Sequence, residues 1–211
     1  MKIKVCQFVY GDLLSPDSWF SQFVEPVNRS YCEWHGYEYA VDRIETITKI
    51  HGHYEKPGHI LRNLHDCDYL LYMDADACFY TRELTIENEI LLFIKDKSVM
   101  LAGDCASEFL RWNPFLPNTG VLLLQNNDTA RSIMEHWDHV CGDVELELHR
   151  LKDQHMFWKF ILPKFIEDIG IERDYYRVQG HFSHFIRHEV GRSEEHRHRE
   201  FEKIFKRVFG K

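Results

Sequence analysis

Apolar and β-branched residues crowd the positions from Ile3 to Tyr10, and the run stops at Gly11-Asp12. That pattern predicts a first strand closed by a turn. Trp19, Phe23, Val27 and Tyr31 then recur every four residues, one apolar face of a helix with Ser15 or Asp17 as its cap. Gly36 ends that helix, Tyr37 to Val41 reads as a second strand, and 42 to 55 lacks periodicity and reads as a loop. Pro57 suits the first turn of a helix through Ile60, Leu61 and Leu64. Tyr69 to Met73 follows, an apolar run of strand length that suits a central strand covered on both faces. Further strands are expected near Ser98 to Ala102, Gly120 to Leu124 and Tyr175 to Val178, with helices from about Asp128 to Val140 and Asp153 to Phe160. This alternation predicts an α/β domain, a mostly parallel central sheet flanked by helices. Ligands of such sheets bind beyond the carboxyl ends of the strands.

Composition narrows the class without naming the chemistry. At 211 residues, 44% hydrophobic and 14% aromatic, the chain suits one packed domain. A formal net charge of -8 argues against a nonspecific nucleic-acid binder, although one basic groove stays compatible with it. Six cysteines are scattered with no CxxC pair, so a Cys-based zinc site is disfavoured and a reducing compartment is expected. The N-terminal MKIKVCQFVYGD turns polar too soon for a signal peptide, and no stretch nears the roughly 20 apolar residues of a membrane span. The expectation is a cytoplasmic enzyme, or a catalytic domain cut from a longer chain.

The strongest chemical signal is Asp74-Ala75-Asp76, directly after the apolar run Tyr69 to Met73. In an extended chain the two carboxylates point to the same side. Two like charges at the edge of a buried sheet are unfavourable unless a cation neutralises them. Oxygen ligands suit Mn²⁺ or Mg²⁺, ions that bridge protein carboxylates to substrate phosphates. The alternative is that one of the two caps a helix or shapes a turn.

The block DYLLYMDADACFY resembles the DxD segment of glycosyltransferases of the GT-A fold, closest to the retaining galactosyl- and mannosyltransferase group and the glycogenin-like group. Other segments follow in the order those families use. Lys56 matches a family lysine near the nucleotide; Asn118-Thr119-Gly120-Val121 resembles the strand that floors the sugar site; Asp153-Gln154 resembles the pair opening a helix beside the reacting carbon. HFSHFIRH resembles a late "HF" motif whose histidine is the third metal ligand, which implies His184, with His181 as runner-up. The glycogenin-like continuation of that motif is absent, and Arg187 or Arg192 is expected to replace its diphosphate-binding lysine. The size and start also resemble the N-terminal glycosyltransferase domain of a large multi-domain chlorella-virus protein.

The resemblance implies a metal-dependent transfer of a hexose from a UDP-sugar to a hydroxyl of a glycan or glycoprotein, with retention of configuration. Asp74, Asp76 and His184 are the implied ligands of Mn²⁺ or Mg²⁺, Lys56 and Arg187 the implied phosphate contacts. Several residues keep two readings. Asp153 is an acid–base group or nucleophile near the anomeric carbon, or a helix N-cap. Gln154 offers an amide to sugar hydroxyls. Asp104 and Asn118 accept a sugar hydroxyl or serve as turn residues. Tyr10 stacks on a uracil ring or packs in the core.

The catalytic domain is expected over 1–191. In 192–211, Phe201, Ile204, Phe205 and Val208 share one helical face, which docks on that domain, lies on a membrane surface or meets a following domain. Two rival functions stand beside the transferase. One is a metal-dependent phosphohydrolase or a nucleotidyltransferase, although FVYGDLLSPDSW lacks the Gly-rich basic loop of the latter. The other is a non-catalytic nucleotide-sugar-binding module.

Overall fold

The structure, a computed structural model, describes residues 1–104, 113–143, 152–173 and 178–210, with side chains for all of these except 104 and 113–115. The strands are β1 (Ile3–Tyr10), β2 (Glu38–Ile44), β3 (Tyr69–Met73), β4 (Ala77–Phe79), β5 (Val99–Asp104), β6 (Asn113–Gln125), β7 (Ile169–Glu172) and β8 (Ile186–His188). The helices are α1 (Glu25–His35), α2 (Lys56–Asn63), α3 (Ile86–Glu89), α4 (Asp128–Cys141), α5 (Lys152–Met156), α6 (Leu162–Phe165) and α7 (Glu194–Phe209).

Six strands form the central sheet in the order β2-β1-β3-β6-β5-β7. All run parallel except β6, which is antiparallel to both its neighbours, β3 and β5. β4 and β8 form a small antiparallel pair of their own.

Strand residues alternate between two cores, as the pleat requires. Cys6, Phe8, Leu70, Tyr72, Leu101, Leu122 and Leu124 pack under α2 and α4, against Ile60, Ile133 and Trp137. Val5, Leu71, Met73, Met100, Val121 and Leu123 pack on the other face, against Tyr31 of α1 and against Phe79 and Phe185. Because both faces are covered, β3 reads as a continuous apolar run. A third cluster joins Val9, Trp19, Phe20, Val27 and Cys78 to Phe201 and Ile204 of α7. The tail helix therefore docks on the body, with the Trp19 and Phe201 rings stacked 5.2 Å apart.

Several local expectations are revised. Neither Ser15 nor Asp17 caps the first helix; Ser18 Oγ accepts from the Ser21 N–H instead. The helix opens with a π-type turn, Phe20–Val24, before α1. Pro26, which has no N–H to give, stands at that junction and accounts for the broken α ladder. The expected loop is shorter, since β2 runs to Ile44 and Gly52–Glu55 forms a 3-10 turn. Most of the strand expected at Tyr175 to Val178 lies outside the described residues. Cys6, Cys32, Cys67, Cys78 and Cys141 are free and buried, as apolar thiols are expected to be. Among the described residues no helix is long and apolar enough to cross a membrane.

The pairing of β5 with β6 carries one irregularity that shapes the site. Leu101 opposes Leu122, yet the next residue, Ala102, opposes Asn118. Thr119, Gly120 and Val121 therefore lie in a bulge without partners on β5. Bulges of this kind re-aim side chains next to active sites.

Candidate active site

The two carboxylates sit in the turn between β3 and β4, at the carboxyl end of a central strand. Buried polar groups fasten that turn. Asp74 N–H donates to the Gly120 carbonyl at 2.7 Å, and Ala77 N–H donates to the Asp74 carbonyl at 3.0 Å. Gln7 Nε2 donates to the carbonyls of Asp74 (2.9 Å) and Ala77 (3.1 Å). Asn28 of α1 donates to the Gln7 amide oxygen at 2.8 Å and accepts from the Phe79 N–H at 2.9 Å. Tyr39 of β2 also donates to the Gln7 oxygen, at 2.6 Å. Three elements thus hold the turn before any ligand arrives, and Gln7 and Asn28 escaped the sequence reading. The only signal for Gln7 was a polar residue inside an apolar run, and Asn28 beside Arg29 and Ser30 gave none.

The imidazole facing the carboxylates is that of His188. Asp74, Asp76 and His188 each offer one atom, all within 4.8 Å of one another. His188 Nε2 lies 3.2 Å from Asp76 Oδ1 and 4.0 Å from Asp74 Oδ2. His184 is exposed, and His181 Nδ1 donates to the Glu189 carboxylate at 2.9 Å. The pairing of β4 with β8 explains the difference. Ala77 opposes His188, so the strand brings that histidine beside Asp76, whereas His184 precedes the strand. Arg187, one residue away, projects from the opposite face of β8. Its guanidinium covers the Tyr80 ring at 4.0 Å and its Nη1 binds the His181 carbonyl, away from the carboxylates.

The orientation of the His188 ring follows from a chain of hydrogen bonds that starts at the backbone. Gly120 N–H can only donate, and it donates to Asn118 Oδ1 at 2.9 Å. That oxygen is then an acceptor for Gln179 Nε2 at 3.2 Å, which turns Gln179 Oε1 toward His188 Nδ1 at 2.6 Å. Nδ1 carries a proton for Gln179, so Nε2 is the nitrogen turned to the carboxylates. Burial disfavours charge on the ring; Asp76 and Asp74 outweigh it and raise its pKa, favouring a proton on Nε2 as well while no cation is present. Nε2 is buried and makes no hydrogen bond despite its proximity to Asp76. A buried imidazole nitrogen facing two carboxylates fits a divalent cation held by three protein groups, which would take the place of that proton. Burial alone would keep Asp76 protonated to a higher pH; His188 and Arg197 outweigh it and hold the carboxyl well below the usual range. Gly120 is needed here, because a Cβ at this position would stand 2.1 Å from His188 Cε1.

Lys56 is a buried ion-pair centre rather than a surface lysine. Its Nζ lies 2.8 Å from Asp153 Oδ2, 2.9 Å from Asp74 Oδ1 and 3.0 Å from the Thr119 carbonyl. Burial favours loss of its proton, and the carboxylates of Asp153 and Asp74 reverse that, raising its pKa. Tyr72 donates to Asp74 Oδ1 at 2.6 Å. Asp153 lies in the first turn of α5, where its Oδ2 accepts from Thr119 Oγ1 at 3.1 Å and its Oδ1 is 3.9 Å from His53 Nδ1. Gln154 Oε1 accepts from the Thr119 N–H at 3.1 Å. The bulged Thr119 thus gathers Lys56, Asp153 and Gln154.

Tyr10 is half-buried, with its ring against Gly52 and flanked edge-on by His51 and His53. Burial pushes its hydroxyl up to about 12. Asp104 ends β5, and its side chain lies outside what is described. Arg197 of α7 reaches the far oxygen of Asp76, Nη2 to Oδ2 at 2.9 Å, a contact that sequence reasoning missed.

No family model and no curated protein matches the sequence of this chain. Solved structures do match its fold. A glycosyltransferase involved in glycosylation of the major capsid of PBCV-1 superposes with a TM-score of 0.77 at 14% identity, over 96% of this chain and 100% of that one. The glycosyltransferase GlyE of Streptococcus pneumoniae TIGR4 gives 0.56 at 14% identity, over 99% of this chain and 63% of its own. The catalytic domain of Drosophila β1,4-galactosyltransferase 7 gives 0.53 at 11% identity, over 93% and 73%. With its carboxylate pair at the carboxyl end of β3 and one antiparallel strand in an otherwise parallel sheet, this chain has the GT-A glycosyltransferase fold.

Proposed function

We propose that this chain is a metal-dependent glycosyltransferase that moves a hexose from a UDP-sugar to a hydroxyl of a glycan or glycoprotein, with retention. The observation that carries the reading is the buried, hydrogen-bond-free Nε2 of His188 set between Asp74 and Asp76 on a fold shared with glycosyltransferases. Asp74, Asp76 and His188 would hold Mn²⁺ or Mg²⁺. A divalent cation there supplies Lewis-acid neutralisation of the leaving diphosphate.

The rest of the chemistry belongs to the protein. Lys56, kept charged by its two carboxylates, fixes Asp74 and Asp153 in one arrangement on either side of the Thr119 bulge. In this reading Asp153 and Gln154 face the sugar and stabilise positive charge that develops at its anomeric carbon. Asp104 and Asn118 remain candidates for sugar hydroxyls and Tyr10 for the uracil ring; Asn118 Oδ1 is already committed to Gly120 and Gln179. The donor class, the retaining outcome and a catalytic domain over 1–191 rest on the sequence resemblance. The viral neighbour's capsid glycosylation favours a glycoprotein acceptor. Among the described residues one group alone has metal-binding geometry, which favours the transferase over a two-metal phosphohydrolase.

Calorimetric titration with a panel of nucleotide sugars, in Mn²⁺, Mg²⁺ or EDTA, tests the reading. Metal-dependent binding of a UDP-hexose is expected, lost in Asp76→Ala and His188→Ala and unchanged in His184→Ala. No binding of any donor under any condition would overturn it. Binding without turnover on any acceptor would identify a non-catalytic module.

A further inference from the structure

We infer that Arg197 is a positioning residue for Asp76, so that α7 belongs to the site and is not only a prop for the domain. This rests on the metal-site reading above and assigns a residue within it. Arg197, Phe201 and Ile204 follow the spacing of one helical face. Phe201 and Ile204 are buried in the core that α7 shares with Trp19 and Val27, so the same face that docks the helix carries Arg197 inward.

The guanidinium is held from several sides. Nη2 donates to Asp76 Oδ2 at 2.9 Å, Nη1 to Glu194 Oε1 at 3.1 Å, and Nε to the Glu189 carbonyl at 3.3 Å. The Trp19 ring lies 5.9 Å beneath it, and Trp19 Nε1 in turn binds Glu194. The Glu189 N–H donates to the Asp76 carbonyl at 2.9 Å, which closes a ring of bonds through Asp76, Glu189 and Arg197.

The two oxygens of Asp76 are thereby divided. Oδ2 is taken by Arg197, and Oδ1 is left turned toward His188 Nε2. A carboxylate fixed in this way presents a single oxygen to a cation and cannot rotate away from it. Partners that orient a metal ligand typically change metal affinity by about 10- to 100-fold when removed. A rival effect has the opposite sign. Arg197 is a positive charge beside a cation site, and if it acted only through that charge, its removal would tighten binding.

The sign of the change therefore decides. Mn²⁺ uptake by the full chain is measured by electron paramagnetic resonance, with and without UDP, for the wild type, Arg197→Ala and Arg197→Lys. Thermal unfolding in EDTA checks the fold. Arg197→Ala is expected to bind Mn²⁺ about ten-fold or more weakly, and Arg197→Lys, which keeps a donor for Oδ2, to recover most of the loss. If Arg197→Ala does not fold, Arg197→Met keeps the apolar stem against Trp19 and takes its place. Affinity equal to or above wild type, or a lysine variant no better than the alanine one, overturns the assignment. A wild type that takes up no Mn²⁺ in either condition overturns the metal reading itself.

Discussion

At the scale of single residues, the site is decided by groups that have only one way to bond. The backbone N–H of Gly120 fixes the Asn118 oxygen, that oxygen fixes the Gln179 amide, and the amide fixes the proton on His188. Gly120→Ala tests the close approach that makes this chain possible. The added Cβ would overlap the His188 ring, so the ring must leave its place between the carboxylates. Weakening of Mn²⁺ uptake by at least ten-fold is expected, with a loss of about 1–3 kcal/mol of stability from overpacking. Mn²⁺ titration together with urea unfolding checks both halves. Asp74 and Asp76 stood out in the sequence because they directly follow the apolar run of β3, whereas Lys56 and Asp153 were singled out by the family resemblance alone. His188 was singled out by neither. Three histidines within eight residues differ only in the register of a three-residue strand, too short to show a period of its own.

At the scale of elements, β1, β3, α2 and α4 were readable because each carries a full apolar period. The short β4, β7 and β8 were not, because their neighbours come from distant parts of the chain. Nor does the apolar run of β6 declare that it is antiparallel, since a strand covered on both faces reads alike in either direction. The tail helix offered three readings to the sequence. Its docking is now specified by Phe201, 1% exposed and stacked on Trp19. Phe201→Ala is expected to destabilise the protein by about 3–5 kcal/mol, because it opens a cavity between α7 and the body. The midpoint of urea unfolding measures this. A shift under about 1 kcal/mol would mean that α7 is not seated in this way.

Across the whole molecule, charge is organised as local pairs despite the net -8. Glu189 and Asp42 illustrate the consequence for pH. Burial opposes ionisation of both, yet His181 and His196 lower the pKa of Glu189, and His59, Asn63 and Arg62 lower that of Asp42. A carboxyl whose folded value lies below its unfolded value of about 4 stabilises the fold above that pH. The contribution is lost as pH falls through the lower, folded values. Melting temperature is therefore expected to fall steeply below about pH 4, and Glu189→Gln to flatten that limb. A scan of melting temperature against pH in EDTA checks this; identical limbs for the variant and the wild type would refute it.

The contact between Asp76 and Arg197 spans 121 residues of chain. At a synthesis rate of roughly 5–20 residues per second, the carboxylate turn leaves the ribosome on the order of ten seconds before its arginine. During that interval Asp76 has no guanidinium on its second oxygen. The contact is thus a late product of translation, made only once the chain has been synthesised and folded as far as α7.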